Sequence, residues 1–433
     1  MFEIKGKYTT AKVMIDDVEP ECIAQITGFV NHPAFTNPVV IQPDTHTGKS
    51  SCVGFTMPMT DKIIPNVIGV DVGCGTESIN VGTEIPISLS ELDKRIREKV
   101  PFGHAVNDKA VIHFKNDFPW AETNELARKF AIAYADKFGK TLSLPGYTPE
   151  WFEKKCKEIK DSQKRIIEAI GSLGGGNHFI EIGKDLPGNY WFTIHTGSRH
   201  FGKSVCDYWQ HRATEIVDNK KTVVWRERIQ EIKKQYTGSE IEKRVKAARA
   251  DLGIGIKDDL HFLEGQDAIG YLFDMVFAQK YAETNRAYIA KAILEILGVP
   301  VIDRIETVHN FIDFKDFIIR KGAIRAYEGE RAILPFNMRD GILICEGKSN
   351  SAWNFSGPHG AGRVLSRSKA KKTLDMAEFV RQMSGIFSTS VNRSTLDEAP
   401  GAYKDAKVIE TAIQPTFKVL NRIVTVMNMK DTE

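Results

Sequence analysis

Five separated segments place polar or sulfur-containing side chains beside short apolar runs, and four of the five also contain glycine next to these side chains. Such runs are typical of short strands that end in glycine-rich turns. The segments are VIGVDVGCG (67–75), GSLGGGNHFIEI (171–182), FTIHTGSRHFG (192–202), ETVHNF (306–311) and SGPHGAGRVLSRSKAKK (356–372). The pattern predicts a β-rich centre whose strand ends carry the chemically active residues.

Helices are predicted between these segments. One begins near Ser90, because Ser90 and Asp93 are spaced like a capping box; another has Thr148 at its N-cap and Pro149 at its first position. The predicted helices cover 121–139, 148–169, 266–297 and a stretch near 372–386. The predicted strands cover 179–182 and 190–195, with short strands and turns over 24–85.

This mixture lacks regular βαβ units and therefore favours an α+β fold. We expect one large domain over residues 1–433, with a β-rich centre, surrounding helices and a central active-site cleft. Residues 219–260 are highly charged and are expected to form a helical insertion that faces solvent.

Composition excludes some classes of protein. No run approaches the roughly 20 apolar residues of a membrane-spanning helix, and no signal pattern opens the chain, so a cytoplasmic monomer without membrane contact is expected. The six cysteines form no CxxC pair, which argues against a disulfide framework and leaves them as candidate ligands or nucleophiles. A net charge of +3 neither demands nor excludes nucleic acid.

A candidate metal set comprises Asp71, Cys74, His178, His195 and His309. A carboxylate, a thiolate and imidazoles suit transition metals, and zinc precedes manganese on ligand softness alone. Five ligands exceed the need of one tetrahedral ion, whereas two ions sharing a bridging thiolate would use all of them and suit phosphoryl chemistry. Taken singly, each residue is more often a packed or hydrogen-bonded core residue than a metal ligand, so the prediction depends on the group.

The segment around His359 is a second candidate. Successive backbone N–H groups in HGAGR suit an anion-binding concavity, and His359 beside it suits attack on phosphorus. Arg363 and Arg367, with the lysines that follow, suit contacts to phosphate or an RNA backbone. A helix N-terminus with a solvated basic face explains the segment alone equally well.

Together with PDTHTG, RKGAIRA and DEAPGAYKD, these blocks resemble the RtcB family of RNA ligases, in family order from residue 43 to Lys430. The resemblance implies an RtcB-like ligase domain that joins RNA 3′-phosphate or 2′,3′-cyclic phosphate ends to 5′-hydroxyl ends. It implies GTP and two Mn²⁺ ions as cofactors and a histidine–GMP intermediate on His359. The natural RNA stays open, as does a helper protein; tRNA splicing and RNA repair both suit the family.

The resemblance also implies residue roles. The five metal candidates match the family's manganese ligands, with Cys74 shared between the ions. The nucleotide positions are Asn177, His178, Phe179, Ile180, Glu181, His309, Asn310, Pro335, Phe336, Asn337, Met338, Gly360, Ala361, Gly362 and Lys430, with Glu181 reading guanine. The positions that handle RNA ends are Asp44, Lys321, Arg363 and Arg367.

The chain departs from the family pattern before the nucleophile. Phe336, Asn337 and Ile342 in PFNMRDGI replace small or hydroxyl residues, and Pro358 replaces a cysteine. These changes concern nucleotide specificity rather than the metal set. Two alternatives remain: a metal-dependent phosphatase or hydrolase of nucleic-acid ends without ligation, and a non-catalytic RNA-binding protein. A structural metal protein would favour closely spaced Cys/His tetrads, which this sequence lacks.

Overall fold

The computed structural model describes residues 1–253 and 258–432, which form 13 α-helices and 15 β-strands. The strands are β1 (Phe2–Lys5), β2 (Thr10–Val13), β3 (Val39–His46), β4 (Val53–Pro58), β5 (Gly75–Gly82), β6 (Phe179–Lys184), β7 (Tyr190–Thr196), β8 (Asp303–Val308), β9 (Asn310–Ile312), β10 (Ile318–Lys321), β11 (Ala323–Arg325), β12 (Arg331–Pro335), β13 (Ile342–Gly347), β14 (Ser356–Pro358) and β15 (Phe417–Met429). The helices are α1 (Pro20–Val30), α2 (Pro65–Ile68), α3 (Leu89–Lys99), α4 (Phe114–Asp117), α5 (Trp120–Phe138), α6 (Pro149–Glu158), α7 (Gln163–Glu168), α8 (Arg199–Gln235), α9 (Ser239–Asp251), α10 (Gly265–Leu297), α11 (Arg367–Thr373), α12 (Met376–Gln382) and α13 (Ala406–Ala412). The predicted α+β class is confirmed.

The strands form three sheets. A six-stranded sheet has the order β1-β2-β3-β4-β10-β9, and a two-stranded ribbon pairs β11 with β14. A seven-stranded sheet has the order β12-β13-β15-β6-β7-β5-β8. Its pairs are all antiparallel, and its two edge strands meet, since the Ile333 amide of β12 donates to the Thr307 hydroxyl of β8 (3.0 Å). The sheet is thereby almost closed on itself.

The core follows this arrangement. The isoleucines Ile305, Ile333, Ile344 and Ile423 pack with Trp191 in one cluster from five strands of the seven-stranded sheet. A second cluster covers the outside of that sheet with α3 and α10, and the largest cluster joins the six-stranded sheet to α1, α5, α6, α8 and α10. Successive side chains of a strand point to opposite faces of its sheet, so one strand can contribute residues to two of these clusters.

Most long predicted elements are confirmed. Helix α5 and helix α10 match the predicted spans, and β6 and β7 match the predicted strands. The Thr148 hydroxyl accepts from the Trp151 amide, with Pro149 following it, as the capping pattern predicted. No helix among the described residues is long and apolar enough to cross a membrane.

Several boundaries were wrong. The expectation of only strands and turns over 24–85 missed α1, whose buried Cys22, Ile26 and Phe29 follow helical spacing. The N-cap of α3 is Ser88, whose hydroxyl accepts from the Glu91 amide, rather than Ser90. The predicted helix over 148–169 is two helices, because Lys160 adopts a left-handed φ of 56°.

Two further boundaries differ from expectation. The helix near 372–386 is instead α11 and α12, which are separate and start at the N-caps Ser366 and Asp375. The charged insertion predicted over 219–260 is helical, but its first helix is the continuation of α8, which begins at Arg199. Residues 254–257 of that prediction lie outside the described residues.

Candidate active site

One end of the seven-stranded sheet gathers the predicted metal ligands. His195 of β7 lies opposite Thr76 of β5 and Phe179 of β6. Cys74 immediately precedes β5, and His178 immediately precedes β6. His309 follows β8, whose Val308 pairs with Gly75. Register alone therefore brings these four side chains together, as the strand-end pattern predicted.

The ligand atoms approach within contact distance of one another. Cys74 Sγ lies 3.3 Å from His195 Nε2 and 3.6 Å from His178 Nε2. His195 Nε2 lies 3.2 Å from His309 Nε2, and His178 Nε2 lies 3.0 Å from Asp71 Oδ2. The five residues thus form two overlapping triads, one of Cys74, His195 and His309 and one of Asp71, Cys74 and His178, that share the thiol.

Outer contacts orient these ligands. His178 Nδ1 donates to the Leu173 carbonyl (2.9 Å), and His195 Nδ1 donates to the Asn177 carbonyl (3.2 Å). Asp71 Oδ1 accepts from the Ser198 amide (3.0 Å). With the proton on Nδ1, each Nε2 carries a lone pair, and the two lone pairs converge on sulfur, carboxylate and imidazole acceptors. The single thiol proton can satisfy only one of these electron pairs, whereas a divalent cation would satisfy several at once, so the residues fit a divalent metal.

Burial sets the protonation states of these groups before any cation binds. It lowers the pKa values of His195 and His309 well below 6.5, and neighbouring imidazoles lower them further, so both rings are neutral. Burial, with the nearby Asp71 carboxylate, raises the pKa of the Cys74 thiol well above 9.0. A bound cation would reverse that effect, because it stabilises the thiolate.

His359 approaches this cluster from the other side of the cleft. It follows β14 and its ring centroid lies 4.6 Å from that of His309. Asp44 Oδ2 accepts both the His359 Nδ1 proton (2.7 Å) and the His359 backbone N–H (3.1 Å). Asp44 is fully buried on β3, within the six-stranded sheet. The bond fixes the tautomer in which Nε2 of His359 holds the lone pair.

The glycine-rich segment after His359 packs directly on the Asp44 strand. Gly362 has a φ of 73°, and a Cβ there would lie 2.1 Å from the Asp44 carbonyl oxygen. The Lys404 ammonium donates to the carbonyls of Pro43 and Thr45 (2.9 Å each), and these two bonds fix the backbone on both sides of Asp44. Glycine at 362 is therefore required for the approach of nucleophile and carboxylate.

A cleft of about 1160 Å³ lies over the cluster. Most of the predicted nucleotide positions line it: Asn177, Phe179, Glu181, His309, Asn310, Pro335, Phe336, Asn337, Met338, Gly360, Ala361, Gly362 and Lys430. Ile180 does not, because its side chain is fully buried in the cluster beneath β6. The metal candidate His178 lies at the site but outside the cleft lining.

Glu181 lies in the cleft as an almost fully buried carboxyl. It accepts from the Asn428 side-chain amide (2.9 Å) and the Thr425 hydroxyl (3.1 Å), both on β15. Burial outweighs these bonds and raises its pKa to about 8. A ligand that offers N–H donors would favour the ionised form.

Lys430 is held by a carboxylate that the sequence analysis did not single out. Its ammonium lies 2.7 Å from Glu398 Oε2. Glu398 also pairs with Arg363 (3.2 Å) and Arg367, and accepts from the Tyr403 hydroxyl (2.7 Å). Burial alone would raise the pKa of Glu398, but Lys430, Arg367 and Arg363 outweigh it and hold the pKa at about 2. The DEAPGAYKD block was the available signal.

The other predicted RNA-end residues occupy different positions. Lys321 lines the cleft, donates to the Asn66 carbonyl (3.1 Å), and has its pKa lowered to about 8 by burial. Arg363 and Arg367 line the cleft too, although both are engaged by Glu398. Asp44 is separated from the cleft and serves His359 instead.

Two of the departures from the family pattern, Phe336 and Asn337, lie at the cleft wall. Phe336 and Met338 are almost fully buried, and the Asn337 amide donates to the Asp340 carboxylate (2.7 Å). Ile342 is fully buried in the core of the seven-stranded sheet and does not line the cleft. Phe336 and Asn337 are therefore the replacements in contact with cleft space.

Comparisons with known proteins identify the family of this chain. The family model described as "tRNA-splicing ligase RtcB" matches residues 25–431. The chain belongs to the RtcB family. "RNA-splicing ligase RtcB" of Escherichia coli K12 is 26% identical over 443 residues, covering 95% of each chain. "tRNA-splicing ligase RtcB" of Nanoarchaeum equitans is 24% identical, covering 96% of this chain and 92% of its own. The counterpart of Methanococcus maripaludis is 23% identical, covering 93% and 89%. At these identities this chain is a divergent RtcB protein.

Proposed function

We propose that this RtcB protein is an RNA ligase that joins 3′-phosphate or 2′,3′-cyclic phosphate ends to 5′-hydroxyl ends, using GTP and two Mn²⁺ ions. The observation that carries the proposal is the placement of His359, bonded to Asp44 and 4.6 Å by ring centroid from the candidate ligand His309. A two-metal phosphatase can use a metal-activated water as its nucleophile and does not require a histidine there. The printed names of the relatives, which describe RNA-splicing and tRNA-splicing ligases, support the same reaction class.

His359 is proposed to form the covalent intermediate. Its Nε2 lone pair attacks the α-phosphorus of GTP, the bond to the bridging oxygen breaks, and pyrophosphate leaves. A 2′,3′-cyclic phosphate end is first opened by water to the 3′-phosphate and a free 2′-hydroxyl, and the GMP group then passes to an oxygen of the RNA 3′-phosphate, which frees Nε2. The 5′-hydroxyl attacks that phosphorus, loses its proton and expels GMP. Asp44 stabilises the positive imidazolium that exists while GMP is attached.

The five converging ligands are proposed to hold the cations. Asp71, Cys74 and His178 would form one site and Cys74, His195 and His309 the other, with the thiolate shared. Divalent cations in such sites neutralise charge on the phosphate oxygens during displacement. Asn310 supports the first site, since its amide donates to the Asp71 carbonyl (3.2 Å).

The cleft residues are proposed to hold the nucleotide and the RNA ends. The N–H groups of Gly360, Ala361 and Gly362 would bind phosphate, and Glu181 would accept from the N–H donors of guanine. Lys321, Arg363 and Arg367 are proposed to bind RNA-end phosphates. For Asp44 we propose a positioning role on His359 in place of the expected RNA contact, because it is fully buried.

The proposed organisation is one ligase domain over residues 1–433, active as a monomer in the cytoplasm. Splicing of tRNA or repair of cleaved RNA would supply the ends. The donor set alone favours zinc. We propose manganese instead because of the family resemblance.

Intact-mass measurement after incubation with GTP and Mn²⁺ tests the covalent step. We expect the protein to gain the mass of GMP, and peptide mapping to place it on His359. His359→Ala should lose both the adduct and RNA joining, whereas His211→Ala serves as the control, because His211 lines the cleft but belongs to neither candidate metal triad.

A gel assay tests the ligation itself, using an RNA with a 3′-phosphate and a labelled 5′-hydroxyl end with each NTP and each divalent metal. Circular or joined RNA with GTP and Mn²⁺ is the expected product. Loss of the 3′-phosphate without joining, and without an adduct, would instead identify a phosphatase.

A further inference from the structure

Helix α8 connects the candidate active site to a projecting arm. Its N-cap Ser198 bonds Asp71, and its first fifteen residues are anchored in the core as far as Ala213. The helix has 37 residues, which corresponds to about 55 Å at 1.5 Å per residue. Beyond Ala213 none of its described side chains is buried, so the remaining part projects from the body of the protein.

Helix α9 folds back along this projection. The turn between them contains Gly238 at a φ of 60°. The guanidinium of Arg244 lies 4.8 Å from the Tyr236 ring centre, and that of Arg249 lies 6.0 Å from the Trp225 ring centre. Residues 219–251 therefore form a paired helical hairpin, called the arm below.

The arm carries the basic excess of the whole chain. It contains ten Lys and Arg residues against five Asp and Glu. The full chain has 59 against 56, so the rest has 49 against 51. The net charge is thus +5 on the arm and −2 on the remainder, a separation that the overall value of +3 conceals.

The basic side chains of the arm are available to a partner. Nine of the ten are exposed, and within the described residues seven of the nine form neither an ion pair with a carboxylate nor a contact with an aromatic ring: Lys220, Arg226, Arg228, Lys233, Lys234, Lys243 and Lys246. Repeated unpaired cations along a rod-like surface match the regular spacing of phosphates in a nucleic-acid backbone.

The base of the arm adjoins the cleft. Asp207, Gln210, His211, Thr214 and Asp218, on successive turns of α8, line the cleft wall. A polyanion whose end lies at His359 and whose chain leaves along α8 would reach the basic surface.

We propose that the arm of residues 219–251 is an RNA-backbone binding surface that holds the substrate outside the cleft. The inference rests on the proposed function, since the RNA end must lie at His359. The contacts are to phosphate and carry no sequence preference. The arm contributes affinity for long RNA and takes no part in guanylylation of His359.

A neutralised arm tests this proposal. The variant combines Lys233→Gln, Lys234→Gln, Lys243→Gln and Lys246→Gln in the full-length protein. The matched control combines Lys5→Gln, Lys12→Gln, Lys109→Gln and Lys140→Gln, four exposed lysines that do not line the cleft. A third variant with arginine at the four arm positions retains the charge.

Binding of a 30-nucleotide single-stranded RNA is measured by fluorescence anisotropy over a range of salt concentrations. Each phosphate contact contributes about 0.7 to the slope of log Kd against log salt, so loss of four lowers the slope by up to about 3. We expect at least tenfold weaker binding at 0.1 M salt for the glutamine variant, with wild-type behaviour for the lysine control and the arginine variant.

Adduct formation separates the two proposals. If the glutamine variant forms the GMP adduct at the wild-type rate and loses joining of long RNA, the arm proposal holds. If the wild-type protein forms no adduct yet the arm variant loses RNA affinity, the proposed reaction fails while the arm proposal survives. Equal RNA affinity and salt slope in the arm variant and the lysine control would overturn the arm proposal.

Discussion

Replacement of Asp44 by asparagine would isolate the effect of one negative charge on the nucleophile. Asp44 Oδ2 accepts two bonds from His359, and an amide oxygen at the same place can accept both. Asp44 Oδ1 has no hydrogen-bond partner among the described residues, so the amide NH₂ that replaces it disturbs no existing bond. The substitution therefore removes charge with little change of shape.

The expected loss follows from the geometry. A charge-assisted hydrogen bond contributes about 1.5–3 kcal/mol. Two unit charges about 4 Å apart interact by about 4 kcal/mol at an effective dielectric constant of 20. Because a GMP group on His359 makes the ring positive, Asp44→Asn should raise the barrier by about 2–4 kcal/mol. At 1.36 kcal/mol per tenfold change, guanylylation slows by about 30-fold to 10³-fold.

Single-turnover guanylylation with labelled GTP measures this rate directly. RNA affinity should stay unchanged, because Asp44 is fully buried. Asp207→Asn is the control, since Asp207 lines the cleft as a half-exposed carboxylate paired with Lys203. A wild-type adduct rate in Asp44→Asn would refute the argument that this carboxylate stabilises the charged ring.

Three further predictions follow from the site. Cys74→Ser should weaken divalent-cation binding at least about tenfold in calorimetric titration, because both triads lose their shared donor; unchanged binding would contradict the shared ligand. GTP affinity should rise by up to about tenfold per pH unit as the pH approaches 8, because burial raises the pKa of Glu181 to about 8 and guanine binds the ionised carboxylate. Glu181→Gln should bind GTP with an affinity that does not change over this pH range. A pH dependence that persists in Glu181→Gln would exclude Glu181 as its origin. The pKa of Glu398 is held at about 2 by Lys430, Arg367 and Arg363 against the opposing effect of burial, so the ionised carboxylate contributes about 3 kcal/mol to the free energy of unfolding above pH 4.5. This contribution is lost as the pH falls towards 2. Urea denaturation of Glu398→Gln should lack this pH-dependent contribution, and a pH profile equal to that of the wild type would argue against the charge network.

The metal candidates were predictable because each lies beside a strand end. Local sequence patterns indicate where strands end. The antiparallel register then places Cys74, His178, His195 and His309 at the same end of the seven-stranded sheet. The α+β class and the long helices α5 and α10 were predictable for the related reason that their periodic patterns are extended.

Pairings between distant segments were not predictable in the same way. Asp44 and His359 are 315 residues apart and belong to different sheets. Without the fold, a carboxylate in PDTHTG has no visible partner, and Asp44 was expected at the RNA ends from the family resemblance alone. The same reason hid Glu398, whose partner Lys430 comes from the far side of β15.

Strand β15 has a consequence for how the protein is made. It lies between β13 and β6, and its Val424 pairs with Lys184, 240 residues earlier. During synthesis, the backbone N–H and C=O groups along one side of β6 therefore lack their partners until β15, near the end of the sequence, has been made. Unpaired edges of this kind attract other unfinished chains. Ribosome-bound intermediates of this protein should consequently depend on chaperones, although in the finished protein β6 is paired on both sides within an almost closed sheet.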